Sequence, residues 1–91
     1  MTENADKLDE WARFYARVVE GHLLEQARQL SPADRPAVLE QIALRLQKTE
    51  SNASKRATRL QPTAPRSAAA LEKIASSARQ GGQGIRALLN A

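Results

Sequence analysis

Few residues in this chain are of a type that does chemistry. There is one histidine, His22, and no cysteine. A catalytic base needs a nucleophile or a substrate site beside it, and a metal needs further nitrogen or carboxylate ligands. Glu25 stands one helical turn from His22, but no third ligand follows at helical spacing and there is no His-Glu-x-x-His. His22 shares its face with Tyr15, Val18 and Gln26, so it reads as a core or interface histidine. No nucleophile–base set and no cofactor motif is present. The expectation is a protein that is not an enzyme, with no cofactor, no metal and no small-molecule substrate.

The residues better suited to binding fall into two groups. Trp11, Phe14 and Tyr15 lie within one helical turn. Aromatics can stack on nucleic-acid bases, but Trp11 and Tyr15 share the apolar face of their segment and read as hairpin core. Phe14 falls at the edge of that face, where it would serve a dimer or partner contact. The second group is basic. On a helix Lys48, Lys55 and Arg59 fall within about 40° of one another, with Arg56 beyond that arc and Arg66 further along. Such a stripe could hold phosphates, though no base-reading set accompanies it. Gly81-Gly82-Gln83-Gly84 follows a weak helix rather than a strand and lacks a Lys-Ser/Thr pair, so it reads as a hinge, not a phosphate loop. Pro62-Thr63-Ala64-Pro65 fits the Pro-x-x-Pro pattern of groove-binding peptides, too short a match to weigh.

The elements that must position these residues are helical. Apolar residues recur at three- and four-residue steps through Leu8, Trp11, Tyr15, Val18, Val19, Leu23 and Leu30, within an arc of roughly 140°. Thr2 or Asn4 can cap this helix. Leu30-Ser-Pro-Ala-Asp-Arg-Pro36 then breaks the chain. Either Ser31 caps a helix starting at Pro32, or a turn at Ser31–Asp34 leads into a helix that Asp34 caps, with Pro36 in its first turn. So short a connection favours antiparallel neighbours. The second helix carries a seam of Leu39, Ile42, Leu46, Thr49, Ala53, Arg56 and Leu60. Its large aliphatics end at Leu46, so the part beyond is expected to project or fray. Gln61 to Arg66, with two prolines, makes an extended linker. Ser67 caps a weak third helix, Ala68 to Gln80, which the glycines end. Ile85, Leu88 and Leu89 form a last short helical turn.

Composition bounds the whole. Of 91 residues 38 are apolar, but 17 of those are alanine, which adds little buried area. Residues 1–47 hold eight acids and six bases, and residues 48–91 hold two acids and eight bases. A near-neutral front and a basic back point to a folding part and a contacting part. No basic, apolar leader opens the sequence, and no apolar run approaches bilayer length. The chain reads as cytoplasmic, without a membrane span.

These readings converge on an all-α fold. Residues 1–60 form an antiparallel helical hairpin turning near 30–36. Residues 61–66 are a linker, and residues 67–91 are a basic, small-residue-rich segment that orders on a partner. The expected function is that of a non-catalytic interaction protein (an adaptor, regulator or assembly factor) that binds a protein partner or a second copy of itself. Trp11, Phe14, Tyr15, Leu39, Ile42 and Leu46 would build the hairpin interface, with Leu71, Ile74, Ile85, Leu88 and Leu89 docking the tail. The alternative is a nucleic-acid-binding accessory protein, of the kind carried by mobile elements, contacting phosphates through Lys48, Lys55, Arg56, Arg59 and Arg66.

Overall fold

A computed structural model describes residues 5–90, so the expected caps Thr2 and Asn4 lie outside the described residues. The fold is all-α, and the described residues contain no strand. The first rod joins α1 (Ala5–Arg17), a π-helical stretch (Val18–Leu23) and α2 (Leu24–Arg28). Two long helices follow, α3 (Arg35–Leu60) and α4 (Pro65–Leu89).

The π stretch has a cause in the spacing. Tyr15, Val19, Leu23 and Ala27 recur every four residues, and in an α-helix each such step drifts by about 40°. The wider π turn holds them in line. Val19 and Ala27 are buried as a result, Leu23 is half-buried, and His22 is exposed rather than on the apolar face.

The first turn follows the second of the two expected arrangements, except that Asp34 stands at the N-cap position without capping through its side chain, which accepts from Ser31 instead. The Ser31 hydroxyl donates to Asp34 Oδ2 at 3.0 Å, and the Arg35 N–H donates to the Ser31 carbonyl at 2.9 Å. α3 then starts at Arg35 with Pro36 in its first turn, where a missing N–H costs nothing. Arg35 reaches back, and its Nη2 donates to the carbonyls of Arg28 and Leu30 at 3.3 Å each. It thereby caps the carbonyl end of α2, where positive charge is favourable.

α3 does not fray beyond Leu46. It runs unbroken to Leu60, with Ala53 and Ala57 buried. The linker is shorter than expected: only 61–64 are non-helical, and Pro65 is the first residue of α4.

The largest departure is α4. The weak helix, glycine stop and separate final turn are one continuous helix of 25 residues. The reason is tertiary. Ser67, Ala68, Ala70, Leu71, Ile74, Ala75, Ser77, Ala78, Gly81, Gly82 and Ile85 are all buried, covering about half the helix circumference at 100° per residue. α4 is wedged between the other two rods and is the close neighbour of both. Its small residues let the backbones approach, so glycines that would end an isolated helix are held in one.

The order of contacts fixes the directions. Glu50 meets Arg79 while Leu46 lies by Gly81, so α3 and α4 are antiparallel. Asp6 meets Arg66, Asp9 meets Lys73 and Val19 lies by Gly81, so the first rod runs parallel to α4. The result is an up-down-up arrangement 48 × 20 × 15 Å in extent. Leu39, Leu46, Val19, Ala43, Ala27 and Ile85 fill one end of the core. The other end is mostly alanine around Leu71 and Ile74, and Tyr15 touches both.

Candidate interaction surface

α1 and α3 do not close on each other as they close on α4. They meet through longer side chains, notably Tyr15 with Thr49. Burial raises the pKa of the Tyr15 hydroxyl, and a hydrogen bond with Thr49 opposes the rise. Outward of that contact lies a groove of about 290 Å³ lined by Leu8 and Trp11 of α1 and by Thr49, Asn52, Ala53 and Arg56 of α3. Its floor is Leu71 and Ile74 of α4. A second hollow of about 280 Å³, lined by Arg56, Arg59 and Leu60, shares Arg56 with it and extends it along α3.

Trp11 and Phe14 stand at the α1 lip. They are 53% and 46% exposed, with ring centroids 5.5 Å apart and planes 25° from parallel. Trp11 is therefore not the core residue its spacing implied. Ala12 takes the seam against α4, packed with Ala68 and Ala75 where the two helices approach closely. That turns the indole outward beside Phe14, whose exposure matches the edge position expected of it.

The other expected interface residues lie elsewhere. Leu39, Leu46, Leu71, Ile74 and Ile85 are buried, and Ile42, Leu88 and Leu89 are half-buried against the same core. Leu71, Ile74, Ile85, Leu88 and Leu89 thus dock on their own chain, and Leu71 and Ile74 reach outside only as the groove floor. The sequence did carry a sign of this. Leu71, Ile74, Ala78, Gly81, Ile85 and Leu88 continue one seam of three- and four-residue steps straight through the glycines.

The five expected phosphate contacts separate in space. Arg66 donates to Asp6 at 2.7 Å, tying α4 to α1. Lys48, Lys55, Arg56 and Arg59 are all exposed on α3 and form no ion pair among the described residues. Lys48 and Lys55 look away from the bundle, while Arg56 stands in the wall of the groove.

Chemically, this arrangement can bind. Exposed aromatic rings over an aliphatic floor hold apolar groups, and the guanidinium at the wall holds an anion. Among the described residues no group of His, Asp or Glu is disposed to hold a metal ion, and no helix is long and apolar enough to cross a membrane. Comparison with protein-family models, curated proteins and solved structures gives no match.

Proposed function

We propose that this chain is a non-catalytic interaction protein, an adaptor, regulator or assembly factor that engages a protein partner at the α1–α3 groove. One observation carries the reading: a stacked Trp11–Phe14 pair left half-exposed beside an apolar-floored groove, with Leu44 and Val38 the only other large apolar side chains left exposed among the described residues. Exposed aromatics around a pocket are the usual anchors of protein interfaces. The groove lies at the lower edge of the range for small-molecule sites, about 300–1,000 Å³, and suits one or two side chains of a partner. The walls of the groove are α1 and α3, each packed on α4, which forms the floor.

A photo-crosslinking residue at position 14 tests this inside cells. A discrete protein adduct is expected from position 14, absent when Trp11→Ser is added and absent from position 55. Adducts of equal yield from both positions would remove the groove from consideration.

A second reading has its own observation. Lys48, Lys55 and Arg59 form an exposed row on the outer face of α3 with no ion pair among the described residues. That row could contact nucleic-acid phosphates. Binding of this kind would weaken steeply between about 50 and 200 mM salt, with each neutralised lysine lowering the slope by about one. Groove docking would be unaffected by Lys48→Gln and Lys55→Gln.

A further inference from the structure

Resting on the groove reading above, we infer that the occupant of the α1–α3 groove is an acidic amphipathic helix of another protein. Shape and charge both lead there.

The groove lies between two helices of opposite direction, with a third as its floor. A helix laid along it completes a four-helix arrangement, its ridges seated between those of α1 and α3. The occupant would present two large apolar residues at i and i+3 or i+4, spaced to meet Trp11 and the Leu71–Ile74 floor. The aliphatic floor favours such side chains over nucleic-acid bases, which would find only the two rings to stack on.

Charge is segregated across the bundle. Asp6 and Asp9 of α1 point to α4, where they meet Arg66 and Lys73, and Glu50 of α3 meets Arg79 on the same side. These three acids are thus drawn away from the groove. Among the described residues, those lining the two hollows include Arg56 and Arg59 and no carboxylate. Arg45 and Asn52 share that flank of α3, within about 60° of both arginines. Lys7, exposed, lies one turn before Trp11 on the α1 lip. Glu10, one turn before Phe14, sits on the outward side of the aromatic pair.

The same charges argue against a second copy of this chain. A two-fold interface sets each patch against itself, so the flank of Arg56 and Arg59 would be buried against an identical basic flank in a molecule of net charge +4.

A random library of displayed helical peptides of about four turns (~15 residues) tests the inference. It is selected on the full chain at ~150 mM salt and counter-selected on Trp11→Ser. The enriched peptides should carry the spaced apolar residues with Asp or Glu on the flanks and should be poor in Lys and Arg. Each should shift the emission of Trp11, the one tryptophan of the chain. Arg56→Glu should weaken the best acidic peptide by about tenfold or more, and selection on that variant should lose the acidic bias. Apolar peptides enriched without charge preference would overturn the acidic partner and leave the groove reading standing. No enrichment dependent on Trp11, with the variant melting like the parent, would overturn both. A dimer by light scattering that Trp11→Ser dissolves, or an oligothymidylate that displaces the peptide, would assign the groove to a second copy or to nucleic acid instead.

Discussion

Three glycines close together on α4 should respond to the same substitution in three different ways. A Cβ added at Gly81 would collide with Cγ1 of Val19 and come to 3.4 Å from Cδ1 of Leu46. Val19 cannot swing aside cheaply, since a β-branched side chain in a helix has one strongly preferred rotamer. Overpacking of this kind costs about 1–3 kcal/mol, while replacing a helical glycine by alanine returns up to about 1 kcal/mol. The net for Gly81→Ala is a loss of up to about 2 kcal/mol. In a domain of this size that lowers the melting temperature by up to about 15 °C. Gly82 is buried along its backbone, yet an added Cβ there meets nothing within 4 Å. Gly82→Ala should therefore stabilise, by about 0.5–1 kcal/mol. At Gly84 the nearest atoms are the methyls of Leu24 at 3.0 and 3.1 Å, the free end of a flexible side chain. Gly84→Ala should fall near zero. Thermal melts followed by circular dichroism, with urea titrations for the free energies, read all three. Adding Val19→Ala to Gly81→Ala should cost less than the two single losses combined, by about 1 kcal/mol or more, because the shrunken partner makes room. If Gly81→Ala stabilises as much as Gly82→Ala, α4 does not touch the π-helical stretch, and the account of why α4 is continuous fails.

Other outcomes follow from the same packing. Leu39 is fully buried and Leu44 is 64% exposed, so Leu39→Ala should cost about 2–5 kcal/mol and Leu44→Ala less than about 0.5 kcal/mol, both read by urea titration. Arg35→Ala removes the side chain that caps the carbonyls of Arg28 and Leu30 and should cost about 1 kcal/mol; equal stability would mean that the turn holds itself. Burial favours the neutral phenol of Tyr15, so the folded chain keeps that proton to higher pH than the unfolded chain. This contribution is whole below pH 10.0, the unfolded value, and is lost as pH rises through the raised folded value. Melts across that range should fall less steeply for Tyr15→Phe than for the parent, and parallel curves would remove Tyr15 from the core.

What was legible in the chain was whatever local chemistry decides. The break at Leu30–Pro36 follows from a capping serine and two prolines. The break after Leu60 follows from Pro62 and Pro65, and the helical character between breaks from periodicity. α4 was not legible in the same way, because its glycines carry opposite meanings at two levels. Locally, Gly81-Gly82-Gln83-Gly84 is a helix stop. In the bundle, Gly81 is the residue that lets two helix backbones meet. Only the partner surface decides which meaning holds, and that surface lies on Val19, far away in the chain.

The aromatic pair illustrates the same point for the candidate site. Periodicity placed Trp11 and Tyr15 together on the apolar face, and by angle alone Trp11 is as good a core residue as Ala12. The choice between them is made by what lies opposite. α4 presents mostly alanine, serine and glycine to the two rods, with Leu71, Ile74 and Ile85 among them. At the alanine-rich end of α4 it is Ala12 that packs with Ala68 and Ala75, and the indole is displaced to the rim. The small residues that appeared to starve the chain of a core thus have two effects. They let three helices pack closely without many large side chains, and they push the largest aromatic out to the lip of a groove. Filling that surface with larger residues, for example Ala68→Leu or Ala75→Leu, would spread the helices apart and disturb the groove without touching one of its exposed side chains.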